Sequence, residues 1–226
     1  MHLIYFISRL LVDFFWNHKL KMTIEVKKSK KLVDYTDSMK ILEKRANDVL
    51  LGKKEEFLWV LEHKTIYTAG ITSKESDLID KSTKVIKTNR GGKYTLHSPG
   101  QKVIYFVLNL NKRNKDIRKL VDKIEKCIIE VLKEYKIKSY TDKKNIGIWV
   151  GSKKNSKKIS AIGIRVKKWI AYHGFSINVS NDLSKYKKII PCGIKNKGIT
   201  SLKKLGIKNY GNFDNIMIKK FLDIFL

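Results

Sequence analysis

One cysteine stands in a setting that suits nucleophilic chemistry. Cys192 lies between Pro191 and Gly193, in a segment with no helical stripe of apolar residues to bury it. A proline and a glycine around a thiol predict a turn that leaves the sulfur accessible to a substrate. The neighbouring residues alone leave a reactive thiol and an ordinary loop cysteine equally open. The second cysteine, Cys127, belongs to an apolar helical stripe, which predicts a buried side chain without chemistry.

Three further segments combine polar residues with residues that shape the backbone. Residues 90–101 hold adjacent glycines and a Pro-Gly turn around polar side chains, so this loop can approach a ligand closely, although a hairpin turn with an incidental histidine has the same composition. Residues 158–166 read as a strand that begins with Lys158. By itself, Lys158 is typical of a solvated strand end in a lysine-rich chain. Residues 172–179 form another strand pattern, with His173-Gly174-Phe175 near its start.

The common signatures of several enzyme classes are missing. The sequence holds no GxxxxGK[ST], no GxGxxG after a strand, no HExxH and no GxSxG. P-loop hydrolysis, dinucleotide binding, zincin chemistry and a serine hydrolase elbow therefore lack their usual support. His97, His173 and Cys192 have no recognised metal-ligand spacing, so we expect no metal site.

The elements that would position these residues follow from periodicity. Spacings of three and four predict helices over 34–50, 117–132 and 214–225, with a short helix near 200–205. Strands are predicted over 22–26, 57–61, 85–86, 103–110, 146–150, 159–166 and 169–179, the last three as an antiparallel meander. Helix, paired strands and helix again predict a single α+β domain with a mixed, largely antiparallel sheet packed by helices.

The first 21 residues differ from the rest of the chain. Their apolar run is interrupted by Arg9 and Asp13 and is shorter than the ~20 residues that cross a bilayer. It also lacks the basic start and small-residue end of a signal peptide. We therefore expect residues 1–21 to be an N-terminal extension or a misassigned start, residues 22–226 to form the catalytic domain, and the protein to be cytoplasmic without a membrane partner.

The chain of 226 residues is strongly basic, with 49 Lys and Arg against 21 Asp and Glu and a net charge of +28. Such a balance favours acidic partners. Nucleic acid is the obvious candidate, but only six of the basic residues are arginine, and the lysines are scattered, without the clustered face and aromatic platforms of a nucleic-acid module. Lysine-rich compositional drift explains the charge at least as well.

Together, the segments resemble the lipoyl(octanoyl) transferase family of the biotin and lipoate protein ligase superfamily. The resemblance runs in the family's order from residue 58 onward, and each motif is modest alone while the ordered combination is specific. The motifs that carry it are Leu58-Trp59-Val60-Leu61-Glu62-His63, Tyr67-Thr68-Ala69-Gly70, residues 90–101, Gly147-Ile148-Trp149-Val150, residues 158–166, His173-Gly174-Phe175, Pro191-Cys192-Gly193-Ile194 and Thr200-Ser201-Leu202.

The resemblance implies a biotin/lipoate protein ligase-like fold and a set of site residues. Cys192 matches the family's nucleophile and acyl-thioester carrier, and Lys158 matches the lysine that lowers the pKa of that thiol. The matched substrate-binding residues are Arg90, Gly91, Gly92, Lys93, Tyr94, Thr95, Leu96 and His97, then Ala161, Ile162 and Gly163, and finally Gly174, Phe175 and Ser176. One departure is Ser98, where the family usually has glycine, which adds a side chain at a tight turn.

The implied reaction transfers octanoyl from octanoyl-acyl carrier protein to a lysine of lipoyl domains, the first step of endogenous protein lipoylation. The implied partners are octanoyl-acyl carrier protein, the lipoyl domains of 2-oxoacid dehydrogenase complexes and glycine cleavage H protein, and the enzyme is expected to be a monomer. No ATP, metal or other cofactor is expected, because phosphopantetheine arrives on the carrier protein. ATP-dependent ligases share the fold but need no cysteine nucleophile, and a cysteine hydrolase would release acid to water. His97 is expected to line the acyl or amine pocket, and a role as acid or base stays open.

Overall fold

The computed structural model describes residues 22–152, 154–193 and 197–226, without the side chain of Cys192. The expectation for residues 1–21 therefore lies outside the described part of the chain. The described residues form three α-helices, α1 (Tyr35–Leu50), α2 (Ile117–Glu134) and α3 (Phe213–Phe225). The strands are β1 (Ile24–Lys28), β2 (Glu56–Leu61), β3 (Ile66–Ala69), β4 (Val85–Lys87), β5 (Tyr94–His97), β6 (Gln101–Asn109), β7 (Ser139–Thr141), β8 (Ile148–Val150), β9 (Lys157–Lys167), β10 (Ile170–Asn178) and β11 (Gly198–Ile199).

The strands form two sheets. The large sheet has the order β1-β2-β6-β10-β9-β8-β7, and β11 pairs in parallel with the start of β9. The pair β1 and β2 is also parallel, while the other neighbours in this sheet are antiparallel. The small sheet has the order β4-β3-β5. The predicted α+β class with a mixed, largely antiparallel sheet is confirmed, including the meander of β8, β9 and β10.

Helix α1 covers one face of the large sheet. Asp34 caps the helix, because its side chain accepts a hydrogen bond from the Asp37 N–H at 3.1 Å. Leu42, Ala46 and Val49 are buried at helical spacing against the strands. The cap and this stripe explain why the predicted helix over 34–50 forms at its expected place.

Helices α2 and α3 cover the opposite face and pack on each other. The predicted stripe of α2 is buried in the largest core cluster, together with the apolar face of α3. Cys127 lies in that stripe with no exposed surface, and burial raises the pKa of its thiol. Its predicted structural role is confirmed by this burial.

The small sheet contains strands that periodicity does not predict. Strands β3 and β5 have only four residues each and lie among glycines and turns, so neither shows enough alternation to mark a strand. They pair with each other in the register Tyr67 to Leu96 and Thr68 to Thr95. The sequence predicts a loop over residues 90–101, whereas in the structure the loop ends at residue 93 and is followed by strand β5.

Across the described residues, no helix has the length and apolar character that a membrane crossing requires.

Candidate active site

A cavity of about 460 Å³, called the central cavity below, lies between the two sheets. The predicted site segments in its lining are the loop before β5, β5 itself, the first half of β9 and the middle of β10. The predicted residues that line it are Arg90, Gly91, Gly92, Lys93, Tyr94, Thr95, His97, Lys158, Ala161, Ile162, Gly163, Gly174, Phe175 and Ser176. The fold thus brings together segments that lie up to 86 positions apart in the chain.

Leu96 is placed differently from its neighbours in the predicted set. Its side chain is fully buried and packs with Tyr67, Tyr186 and Ile189 in a separate cluster, and it is not among the residues that line the central cavity. The pleat of β5 explains this, because successive side chains of a strand point to opposite faces. Thr95 and His97 therefore face the cavity while Leu96 packs behind it.

The loop before β5 is built around Arg90. The guanidinium donates to Thr68 Oγ1 at 2.7 Å and to the carbonyl oxygens of Gly91 and Lys93 at 3.0 and 2.9 Å. The Gly91 N–H donates to the Ile164 carbonyl of β9 at 3.1 Å, which ties the loop to the large sheet. Buried Arg90 thus holds the loop in shape, and the loop forms one wall of the central cavity.

The opposite wall is formed by two strands that approach closely. Gly163 on β9 and Gly174 on β10 are paired residues. A Cβ at position 174 would overlap the Ile104 carbonyl oxygen and lie 3.2 Å from Tyr105 Cα. A Cβ at 163 would lie 3.2 Å from the Gly91 oxygen. These glycines are needed for close packing of backbone against backbone.

Lys158 is a buried ammonium at the end of this wall. Only 4% of the residue is exposed, and its Nζ donates to the Ile146 carbonyl at 3.0 Å. The Nζ also lies 4.8 Å from the centroid of the Trp149 ring, a favourable position for a cation over an indole. An ammonium has three N–H groups, so Lys158 keeps donors for a ligand in the cavity that it lines.

Cys192 lies in a short 3₁₀ turn, Pro191–Gly193, that borders the same space. Gly193 lines the central cavity, and Pro191 borders a narrow adjoining recess that Lys158 also lines. The turn is fixed by the Gly193 N–H, which donates to the Ile190 carbonyl at 3.0 Å, and by the Ile190 N–H, which donates to the Asp77 carbonyl at 2.7 Å. Both neighbours of Cys192 therefore border the space that Lys158 reaches, and the pairing of the two side chains stays a prediction.

Several cavity residues escape sequence reasoning. Tyr35, at the start of α1, and Tyr105, in the middle of β6, line the cavity floor beside His97. Lys144, Asn145 and Ile146 contribute from the turn before β8. Only the tertiary arrangement brings these residues to the cavity. For Tyr35 and Tyr105, a sequence signal exists, because each is a tyrosine with a polar hydroxyl on an otherwise apolar, buried face.

The two cavity histidines are neutral hydrogen-bonding groups. His97 Nδ1 lies 2.7 Å from Gln101 Oε1, and burial followed by the charge of His63 lowers the pKa of His97 to about 3. His173 Nε2 lies 2.9 Å from Asn89 Oδ1, and burial followed by the charge of Arg90 lowers its pKa to about 3. Groups with such low pKa values are weak bases at neutral pH, which favours a binding role for His97 over a role as general base.

The low pKa values of these two histidines predict that the folded protein loses stability in acid. In the unfolded chain each titrates near 6.5, while in the folded protein each stays neutral to about pH 3. The stability of the folded protein is thus fully present above pH 6.5 and falls as the pH drops, by about 1.4 kcal/mol per pH unit for each histidine. We expect the Tm to fall by roughly 10 °C between pH 7 and about pH 5.

Calorimetry of His97→Gln and His173→Gln tests the source of this loss. Each variant is expected to have a shallower slope of Tm against pH than the parent in that window, because glutamine does not titrate. Equal slopes for parent and variants would assign the acid sensitivity to other groups.

Among the described residues, no group of three or more histidine, cysteine, aspartate or glutamate side chains is arranged to hold a metal ion.

Comparison with known proteins gives one consistent family. Residues 34–223 match the lipoyl protein ligase A/B catalytic domain. Octanoyltransferases from Wolbachia sp. subsp. Brugia malayi and Ehrlichia chaffeensis are 45% and 46% identical over 199 and 196 residues, which covers 87% and 85% of this chain and 97% and 92% of theirs.

The fold is similar to that of an archaeal bipartite lipoate protein ligase from Thermoplasma acidophilum, solved in a study with its E2 lipoyl domain. The TM-score is 0.66 at 12% identity, over 90% of this chain and 84% of the other. At this identity the likeness shows the fold alone, whereas the two closer relatives and the matched domain show the family. The chain therefore belongs to the lipoyl protein ligase A/B catalytic domain family and, within it, to the octanoyltransferases, which are acyltransferases.

Proposed function

We propose that this protein transfers octanoyl from octanoyl-acyl carrier protein to a lipoyl-domain lysine through a thioester on Cys192, without ATP. The observation that carries the proposal is the central cavity, because it is lined by Lys158, by both wall segments and by the residue after Cys192.

In the first half of the reaction, the Cys192 thiolate attacks the thioester carbonyl of the donor. A bond forms between Cys192 sulfur and the octanoyl carbon, and the bond from that carbon to the phosphopantetheine sulfur breaks. The departing thiolate takes a proton from the Lys158 ammonium and leaves as a thiol. One thioester replaces another, so the step is nearly balanced in energy.

In the second half, the neutral amine of the acceptor lysine attacks the octanoyl-Cys192 carbonyl. A C–N bond forms, the C–S bond breaks, and Cys192 leaves as a thiolate. The proton released by the amine passes to the neutral Lys158 and restores its ammonium, so the enzyme returns to its starting state. Amide formation from a thioester is downhill, which is why no ATP is required.

The proposed partners follow from the relatives and from charge. The archaeal ligase with this fold was solved in a study with an E2 lipoyl domain, which supports lipoyl domains in general as acceptors. The proposed acceptors are the lipoyl domains of 2-oxoacid dehydrogenase complexes and glycine cleavage H protein. A net charge of +28 attracts acidic carrier proteins and lipoyl domains. The cytoplasm is the proposed location of the reaction.

Intact-protein mass spectrometry tests the proposal directly. After mixing with octanoyl-acyl carrier protein in the absence of ATP, the enzyme is expected to gain the mass of one octanoyl group. Addition of a lipoyl domain should remove that mass from the enzyme and place it on the domain. Transfer that appears only when ATP and free octanoate are supplied would identify a ligase and contradict the proposal.

A further inference from the structure

A second lysine lies against the turn that carries Cys192. The side chain of Lys93 covers Gly193, so a Cβ at position 193 would overlap Lys93 Nζ and lie 2.6 Å from its Cδ. Gly193 has a φ of +67°, a conformation that favours glycine. Both residues line the central cavity. The ammonium of Lys93 is therefore a neighbour of the proposed reaction centre.

A buried carboxylate holds this lysine in place. Asp77 is 6% exposed, and its Oδ2 lies 3.8 Å from Lys93 Nζ. At this distance the two form an ion pair without a hydrogen bond, and within the described part of the chain the Lys93 ammonium donates no hydrogen bond. The Asp77 backbone also accepts from the Ile190 N–H, so one residue braces both the turn and the lysine beside it.

We propose that Lys93, braced by Asp77, supplies a second positive charge at the Cys192 turn and stabilises the negative charge that forms there during acyl transfer. This inference rests on the proposed function and adds a residue to it. An ammonium next to a thiol favours the thiolate, and the same charge stabilises a carbonyl oxygen that becomes anionic under attack. Lys93 then acts together with Lys158, which reaches the same space from β9.

The other charged and titratable groups around the turn have partners of their own or are neutral. Lys188 pairs with Asp80 at 3.1 Å, and Lys185 donates to Thr65 Oγ1 at 3.0 Å. On β5 the turn meets Tyr94 and His97, and His97 stays neutral. Arg90 donates to its own loop and to Thr68 on β3. Among the described groups, Lys93 lies against the turn, Asp77 pairs with it, and Lys158 lines the recess that Pro191 borders.

The test is the pH dependence of Cys192 alkylation by iodoacetamide, followed by intact mass in the full-length protein. Lys93→Gln is expected to raise the pH at which the alkylation rate is half-maximal, the midpoint, by about 0.5 to 1 pH unit. This shift is smaller than an unscreened charge would produce, because Asp77 and solvent weaken the effect of the Lys93 ammonium. Lys93→Arg should restore the midpoint. Asp77→Asn should lower it, because the charge of Lys93 is then no longer offset.

A matched control separates this role from general surface charge. Lys188 lies four residues before Cys192, but its ammonium pairs with Asp80 at 3.1 Å and it does not line the central cavity. Lys188→Gln is therefore expected to leave the midpoint within about 0.2 unit, since an exposed, paired charge is strongly screened. An unchanged midpoint in Lys93→Gln would overturn the inference while leaving the proposed function intact. Octanoyl transfer that persists in Cys192→Ser would instead overturn the proposed function, so the two failures are distinguishable.

Discussion

Replacing Cys192 with serine is expected to abolish the octanoyl adduct and to lower the rate of transfer by about 10³-fold or more. A thiol with an ordinary pKa near 8.5 is already about 3% thiolate at pH 7, and a shift of that pKa to about 7 makes it roughly half thiolate. A serine hydroxyl has no comparable anionic fraction, and the described cavity offers it no strong base. Single-turnover assays with octanoyl-acyl carrier protein and intact mass provide the measurement.

The second cysteine supplies the control for this experiment. Cys127 has no exposed surface and lies in the core between α2 and the large sheet. Cys127→Ala is expected to cost about 1 kcal/mol of stability through a small cavity and to leave the adduct and the transfer rate near those of the parent. An octanoyl adduct that persists in Cys192→Ser and disappears in Cys127→Ala would identify Cys127 as the nucleophile. This result would refute the proposed mechanism.

Replacing Lys158 with glutamine is expected to lower the rate of Cys192 acylation by about 10² to 10⁴-fold. Lys158 Nζ donates to the Ile146 carbonyl at 3.0 Å. Glutamine keeps an N–H donor, but its side chain is one atom shorter, so a modest fall in Tm is expected beside the loss of rate. Lys158→Arg is not expected to restore activity. The lysine tip is enclosed, since a Cβ at Gly147 would lie only 3.3 Å from Lys158 Cε, and a guanidinium does not release a proton at neutral pH.

Lys197 is the matched control for Lys158. Its ammonium lies 4.4 Å from the centroid of the same Trp149 ring, but it pairs with Asp142 at 2.7 Å. Lys197→Gln is expected to retain acylation within about tenfold of the parent, because its charge is already offset by the carboxylate. Equal losses of acylation rate in Lys158→Gln and Lys197→Gln would mean that both lysines support the local structure. That result would contradict the proton-transfer role of Lys158.

The helices and long strands could be predicted because their periodicity extends over many residues. The stripe of α2 and the meander of β8 to β10 are examples, and both match the structure within a few residues. Strands β3, β5 and β7 have only three or four residues each and show no usable alternation. Their existence depends on pairing with distant partners, which no local pattern reports.

The candidate site shows the same division. The motif order placed Lys158 and the segments around Arg90 and Gly174 in one site, and these segments do line one cavity. Sequence could not separate Leu96 from Thr95, because the face that each side chain takes depends on the register of a strand that was not predicted. It also could not foresee the contact of Lys93 with Gly193, which joins positions one hundred residues apart.

The central cavity lies between the two sheets, so a ligand bound in it is expected to raise the melting temperature of the whole domain. The turn of Cys192 is anchored to the small-sheet side through Asp77, while β11, just beyond it in the chain, is anchored to β9 of the large sheet. A molecule that fills the cavity contacts both sheets at once, and by mass action it favours the state in which they are joined. An octanoyl chain on Cys192 would bury apolar surface in this cavity in the folded state only. The acylated enzyme should therefore melt at a higher temperature than the free enzyme, and acyl transfer to an acceptor removes that added stability.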